Sequence, residues 1–220
     1  MWFLQSNLTF QEVLMRLLAS VVIIFTVLPL HEYAHGWVAY KLGDNTAKYS
    51  GRLTLNPIEH IDPLGALGIL LFGFGWAKPV PIDSRNFKNP KSGMALTALA
   101  GPVSNLLAAV LGAILYHLIF LLKAYLPASI LFGVMFFFQY YIIINIGLAI
   151  FNLIPIPPLD GSKILAAFLP DRIIYKFMQY QNIVSFILFG LIILGALSVP
   201  LAFLQGQVYK GIMWLVGLMF

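Results

Sequence analysis

Long runs of apolar residues dominate the chain, and most polar residues lie in the segments between them. A helix that spans a membrane needs about 20 largely apolar residues. Runs of that length predict four spans, over residues 14–40, 93–122, 128–150 and 182–204. Four spans are therefore the minimum that the pattern predicts.

Two shorter apolar stretches, residues 64–77 and 208–220, fall below that length. The first is interrupted by glycines and is predicted to be a re-entrant or interfacial segment, and the second a terminal half-helix. Residues 49–55 alternate polar and apolar side chains around Gly51, which is more typical of a short strand or hairpin than of a helix. The pattern thus predicts an all-α polytopic membrane protein with four to six transmembrane or re-entrant helical segments and a short β-hairpin-like cytoplasmic segment.

Composition and charge support a membrane location. The chain is 60% hydrophobic and 10% charged, whereas soluble domains carry about 25% charged residues. The net charge of +5 comes without the basic run that nucleic-acid binding would require. More than half of the basic residues lie between Lys41 and Lys91, which places that region in the cytoplasm by the positive-inside rule. We predict a single membrane domain over residues 1–220, whose N-terminus lacks the features of a cleaved signal peptide.

A short polar sequence, His-Glu-Tyr-Ala-His, follows the most apolar part of the first span at residues 31–35. Residues four apart lie on one face of a helix, so His31 and His35 can bind one metal ion. Glu32 borders that face and can take a proton from water, which is the chemistry typical of H-E-x-x-H on a helix. Ionisable groups inside a membrane helix are costly and usually functional. The alternative is a helix end that has reached the headgroups, where these residues are merely solvated.

A third metal ligand is expected, because catalytic zinc usually has three protein ligands and one open position. The chain has no cysteine, so the ligand must be histidine or carboxylate. Asp160 follows a run with three prolines and precedes Gly161, a break that can point an acid into a cavity. Asn152, just before the prolines, could donate to an oxyanion. The alternatives are an N-cap role for Asp160 and ordinary helix capping for Asn152.

These residues resemble the site-2 protease family of intramembrane zinc metalloproteases. The resemblance covers most of the chain and rests on HEYAH at 31–35, AGPVSN at 100–105 and FNLIPIPPLDG at 151–161. It implies one Zn²⁺ ion bound by His31, His35 and Asp160. It also implies that Glu32 is the catalytic base and that Asn152 assists the intermediate.

The chain lacks a PDZ-like insertion and the usual helix before H-E-x-x-H, so it is most similar to the small, minimal branch of that family. The resemblance implies a zinc-dependent endopeptidase that hydrolyses peptide bonds in or near transmembrane segments. The expected partners are transmembrane protein or peptide substrates and membrane lipids, without nucleic acid. The expected location is the cell membrane, with the active site towards the cytoplasm.

Two other classes of function fit the same residues. Histidines and acids within spans also mark ion pathways, so the chain could be a metal or ion transporter, or a protein that binds transmembrane partners without cutting them. His60 has a functional interpretation, as a gate to the site, a partner of the zinc ligands or an extra zinc ligand. Its structural interpretation is a residue of a solvated interfacial loop. His117 is predicted to be packed rather than a ligand, and Gly101 and Asn105 to serve helix contact and polar bonding.

Overall fold

The computed structural model describes residues 9–72 and 75–220. Within these ranges the chain is helical, and its one strand-like pairing is an antiparallel bridge between Ile61 and Ala77. The predicted all-α class is therefore confirmed. Residues 1–8 of the N-terminus, where no cleaved signal peptide is predicted, fall outside the described residues, as does Gly73 in the glycine-interrupted stretch 64–77.

Three helices are long and apolar enough to cross a membrane. They account for the first three predicted spans. The first consists of Phe10–Val22 (α1), a π-helical segment Ile23–Val27 and Leu28–Lys41 (α2). The second is mostly Pro90–Leu121 (α6), and the third is Ala128–Asn152 (α7).

Capping residues fix where two of these helices begin. The hydroxyl of Thr9 accepts a hydrogen bond from the Glu12 N–H at 3.3 Å, and the Glu12 carboxylate accepts one from the Thr9 N–H at 2.7 Å. This reciprocal pair starts α1. The side chain of Asn89 accepts from the Ser92 N–H at 3.2 Å and starts α6.

Short helices fill the region between α2 and α6. They are α3, α4 and α5, over Thr46–Tyr49, Pro57–His60 and Pro63–Phe72. Beyond α5 the chain returns to its starting point, because Ala77 pairs with Ile61 and the Lys78 N–H donates to the His60 carbonyl at 2.8 Å. A segment that leaves and returns to one place agrees with the predicted re-entrant segment.

The predicted hairpin over residues 49–55 is wrong. The Arg52 N–H donates to the Ala47 carbonyl at 2.8 Å, so the chain closes a turn after α3. Gly51 permits this turn with a φ of +70°. A Cβ built on Gly36 of α2 would touch both Ala47 and Leu53, so these apolar side chains pack against α2 rather than along a sheet face. Apolar alternation therefore reflects contact with a helix here.

The C-terminal third also differs from the prediction. Residues 182–204 do not form one helix, since α10 (Gln181–Ile193) and α11 (Ser198–Gly217) are separated by a turn. Gly195 adopts a φ of +72° in that turn, a conformation that favours glycine. Helix α11 contains most of the predicted half-helix 208–220, and α9 (Asp171–Gln179) precedes α10. Among the described residues α5, α10 and α11 are further helices beside three membrane-long ones, so helix length and composition do not reach the predicted minimum of four spans.

Helix α6 lies at the centre of the packing. It contacts the first span and α7 on one side, and α7 and α11 on the other. Ala108 packs in an apolar cluster with residues of the first span and α7, and Ala109 and Ala113 pack in a second apolar cluster with residues of α7 and α11. Small side chains let helices in a membrane approach closely. This close approach places α6 directly beside the polar residues of α2.

Candidate metal centre

Four ionisable side chains meet in the interior, three from α2 and one from α8 (Asp160–Ala166). His31 and His35 are each 5% exposed, Glu32 is 8% exposed and Asp160 is 6% exposed. Helix α2 continues for a turn and a half beyond His35. The alternative of a solvated helix end is therefore wrong for this segment.

Asp160 is brought to α2 by the break between α7 and α8. A Cβ on Gly161 would collide with the carbonyl oxygens of Leu153 and Ile154, so only glycine lets α8 start against the end of α7. The N-cap of α8 is Leu159, not Asp160. The predicted N-cap alternative for Asp160 is therefore wrong, and its carboxylate is directed at the histidines.

Three candidate ligand atoms form a close triangle. The Nε2 atoms of His31 and His35 are 3.0 Å apart. The Oδ2 atom of Asp160 lies 3.3 Å from Nε2 of His31 and 3.1 Å from Nε2 of His35. Tetrahedral zinc with bonds of about 2.0–2.1 Å separates neighbouring ligand atoms by about 3.3 Å. The triangle therefore fits three ligands of one zinc ion.

Hydrogen bonding supports metal binding by His35. Its Nδ1 lies 2.7 Å from the carbonyl oxygen of Thr97 on α6. Because a carbonyl only accepts, Nδ1 carries the proton and the lone pair of Nε2 is available to a metal. His35 is thus oriented to offer Nε2 to a cation.

Helix α6 touches the centre through a glycine. A Cβ on Gly101 would collide with the Nε2 atoms of both His31 and His35. Thr97, Gly101 and Asn105 are spaced four residues apart, so they form one face of α6. This face lies against the metal-binding side of α2, and AGPVSN therefore contributes to the site as well as to helix contact.

Glu32 is oriented by a non-helical segment, residues 75–83. Its Oε2 accepts a hydrogen bond from the Val80 N–H at 2.9 Å. Ligand atoms of His31, Glu32 and His35 all lie within 4.8 Å of one another. The carboxylate is thus held beside the histidines without lying between them.

Asp44, outside the membrane-long helices, anchors the end of that segment. Its fully buried carboxylate accepts hydrogen bonds from the Thr46 N–H at 3.0 Å, the Asp83 N–H at 2.8 Å and the Asn86 side chain at 2.8 Å. Burial tends to raise the pKa of Asp44, but these hydrogen bonds outweigh it and lower the pKa. An ionised Asp44 therefore ties residues 75–83 to the end of α2.

A cavity of about 510 Å³ opens at the centre. Its polar lining comes mainly from the four ionisable residues and from two asparagines, Asn105 and Asn152. Asn152 is the last residue of α7, and its Nδ2 donates to the Leu148 carbonyl at 2.9 Å. It therefore bonds back to its own helix, whose C-cap is Leu153, and also lines the cavity.

The two other histidines lie elsewhere. His60 is fully buried, and its Nε2 lies 2.7 Å from the carbonyl oxygen of Thr54. It is not part of the cavity lining. The Nδ1 atom of His117 lies 2.9 Å from the Ala113 carbonyl oxygen, and its ring stacks on Phe220. His117 is therefore packed, as predicted.

Sequence reasoning did not find Val80 and Asp44 as parts of the site, and gave Asn105 only a packing role. Val80 contributes its main chain, which no side-chain pattern reveals. An asparagine in the middle of an apolar span was the one available signal for Asn105.

Two imidazoles and a glutamate buried on a membrane-long helix, with the buried carboxylate of Asp160 beside them on the short α8, define a metal-dependent hydrolase within a membrane protein. The model of peptidase family M50 matches residues 115–195, which include Asn152 and Asp160. The chain is 45% identical over 179 residues to the "Putative zinc metalloprotease YwhC" of Bacillus subtilis, covering 79% of each chain.

More distant relatives carry similar names. The "Putative zinc metalloprotease Rip2" of Mycolicibacterium smegmatis is 32% identical over 140 residues, 60% of this chain and 50% of the relative. The "Putative zinc metalloprotease MJ0611" of Methanocaldococcus jannaschii is 31% identical over 139 residues, 61% of this chain and 62% of the relative. No solved structure matches the chain. The chain belongs to peptidase family M50, the site-2 protease family, and is a zinc metalloendopeptidase with integral membrane helices.

Proposed function

We propose that this metalloprotease is an intramembrane endopeptidase that hydrolyses peptide bonds in or near transmembrane segments of membrane proteins. The observation that supports this best is the position of HEYAH on the first membrane-long helix, Phe10–Lys41. Its ionisable residues are at most 8% exposed. A peptide that reaches them must therefore pass between helices of the membrane domain.

His31, His35 and Asp160 are the proposed zinc ligands. Their atoms form the triangle described above, and the Thr97 carbonyl of α6 orients His35. When bound, zinc acts as a Lewis acid and makes water acidic enough to lose a proton near neutral pH.

Glu32 is the proposed general base. It takes a proton from the attacking water and delivers that proton to the leaving amine, and the Val80 N–H keeps its carboxylate in place. Asn152 is proposed to donate a hydrogen bond to the oxyanion. Its Nδ2 must then share or leave its bond with the Leu148 carbonyl.

The hydrogen bonds of a helix limit the form of the substrate. A peptide inside a helix keeps its carbonyls hydrogen-bonded, so the substrate must unwind locally before cleavage.

The proposed orientation follows from charge. The region between Lys41 and Lys91 holds more than half of the basic residues, and it connects to the end of α2 that carries His35. By the positive-inside rule this end of α2 faces the cytoplasm. We therefore propose a cell-membrane enzyme whose active site lies towards the cytoplasmic side.

Glu32→Gln tests this function. We expect the purified variant to keep about one zinc ion per chain and to cleave designed single-span polypeptides at least about 100-fold more slowly, because the base is lost. Glu59→Gln, a matched change on exposed α4, should behave like the wild type.

Two outcomes would contradict the proposal. Unchanged cleavage by Glu32→Gln would remove the base assignment. Zinc transport into vesicles at the same rate in wild type and Glu32→Gln, without cleavage, would favour the transporter alternative.

A further inference from the structure

The two asparagines of the cavity differ in their hydrogen bonds. Asn152 uses its Nδ2 within α7, as described above. Asn105 is 0% exposed, and neither its Nδ2 nor its Oδ1 finds a hydrogen-bond partner among the described residues. Buried amides are almost always paired, because an unpaired polar group costs free energy. Asn105 belongs to the cavity lining but is closed to solvent, so a peptide that parts the helices there supplies the missing partners.

The position of Asn105 relative to the metal follows from helix geometry. Gly101 lies directly against the candidate ligand atoms of His31 and His35. Asn105 is four residues further along the same face, about 6 Å along the helix axis. Ala108, about one turn further on, packs in one apolar cluster with Leu28 and Leu148, so Asn105 lies on the side of Gly101 that leads towards those residues.

The chemistry of the amide matches a peptide main chain. A side-chain amide has one acceptor oxygen and an NH₂ donor, and an unwound peptide offers free N–H donors and C=O acceptors. We propose that Asn105 binds the substrate main chain, with Oδ1 accepting from a peptide N–H and Nδ2 donating to a peptide carbonyl. This inference rests on the proposed function of the site, because it requires an unwound peptide in the cavity.

The same geometry gives the register. An extended peptide advances about 3.3 Å per residue, so 6 Å corresponds to about two residues. Because helical side chains tilt towards the helix N-terminus, here towards Gly101, Asn105 binds within about two residues of the cleaved bond. Contact at that distance is equal in the ground state and the transition state, so it contributes to substrate binding and KM more than to kcat.

A second role would use the same atoms. The Nδ1 of His31 is also buried without a partner among the described residues. If Asn105 acted through His31, by way of a bridging water, its loss would weaken zinc binding, because groups that orient a ligand affect metal affinity. Zinc content therefore separates this alternative from substrate binding.

The first experiment compares Asn105→Leu with Asn145→Leu. Asn145 is a matched control, since it is fully buried on α7 and its Nδ2 bonds the Tyr141 carbonyl at 2.8 Å. The probe is a synthetic single-span peptide with two central glycines in detergent micelles. We expect Asn105→Leu to keep its zinc, to raise KM about 10- to 100-fold and to change kcat less than about three-fold. Asn145→Leu should leave KM unchanged in the folded fraction.

The second experiment replaces single peptide bonds of the probe by esters, which removes one N–H at a time. In the wild type, one ester about two residues from the cleaved bond should raise KM about ten-fold. In Asn105→Leu the same ester should have less than about a two-fold effect, because its partner is already absent. A purely structural role of Asn105 would not produce this coupling.

The outcomes are distinct. Loss of zinc in Asn105→Leu alone, or equal ester effects in both proteins, would overturn the inference. If Asn105→Leu does not fold, a flat ester scan of the wild type overturns it, and one sensitive position at the expected register supports it. Peptide affinity measured on the Glu32→Gln protein keeps this test separate from cleavage. Binding that depends on Asn105 without any wild-type cleavage would reject only the proposed function.

Discussion

The two walls of the cavity carry different chemistry. Helices α2 and α8 supply the ionisable groups, from His31 to Asp160, whereas α6 and α7 supply the neutral amides of Asn105 and Asn152. The charged wall is densely connected, with contacts of 3.0–3.3 Å among its ligand atoms. The neutral wall has amide atoms without partners among the described residues.

This difference has a physical cause. The buried carboxylates of Glu32 and Asp160 need compensating positive charge, which a bound Zn²⁺ and the Lys163 ammonium 3.1 Å from Asp160 would supply. A peptide main chain is neutral and requires only hydrogen bonds. We propose that the charged wall binds the metal and transfers the proton and that the neutral wall recognises the peptide. Variants on each wall test this division.

Loss of a zinc ligand should have the largest effect. His31→Ala and Asp160→Ala each remove one of three proposed ligands and leave the rest of the charged set buried without compensation. We expect zinc content to fall from about one ion per chain to near zero and cleavage to become undetectable, as after treatment with a chelator. Metal analysis of purified protein measures this. His117→Gln, which changes a histidine remote from the cavity, should keep its zinc, and retained zinc in both ligand variants would contradict the site.

Gly101→Ala should have the next largest effect. Its methyl group would occupy the space next to the Nε2 atoms of both histidines, so α6 must move away from α2. We expect zinc affinity to fall about 10- to 100-fold, measured by competition with a chelator. Gly206→Ala is the control, because a Cβ there meets no atom within 4 Å. Equal zinc affinity in the two variants would show that α6 does not confine the ligands.

Asn152→Leu tests the neutral wall. If this amide stabilises the oxyanion, kcat should fall about 10²- to 10³-fold with little change in KM. That result is opposite to the KM effect expected for Asn105→Leu. Steady-state kinetics on one probe peptide distinguish the two amides, and a rise in KM alone for Asn152→Leu would place Asn152 among substrate-binding groups instead.

Asp44→Asn should have the smallest effect, and on stability rather than chemistry. The pKa of Asp44 is lowered in the folded protein. A lowered carboxyl pKa stabilises the fold above the unfolded-state pKa, and this contribution is lost as the pH falls below about 4.

We expect Asp44→Asn to lower the free energy of unfolding by about 1–3 kcal/mol at neutral pH. Thermal unfolding in detergent at pH 7 and pH 3 measures this, and the difference from wild type should shrink at pH 3. Asp171→Asn, at an exposed ion pair with Lys91, is a control with little expected change. An Asp44→Asn protein as stable as wild type would show that Asp44 does not anchor residues 75–83.

The sequence allowed the ligand set to be proposed because its signals are local. Helical spacing brings His31 and His35 to one face, and prolines and Gly161 mark the break that directs Asp160 inward. The break at Gly195 was missed, because hydropathy counts apolar residues and does not register a φ of +72°. The hairpin over residues 49–55 was wrong because alternating apolar side chains can also pack on a helix, as Ala47 and Leu53 do on α2.

By itself, the sequence determined that the chain is a helical membrane protein and which residue types could bind zinc, since both depend on composition and on spacing along one helix. Only the tertiary structure decided which remote groups surround those residues. The Thr97 carbonyl on His35, the Val80 N–H on Glu32 and the unpaired amide of Asn105 depend on contacts between distant segments. Such contacts are set by how closely helices pack, and that closeness comes from glycine and alanine positions whose effect appears only when two helices meet.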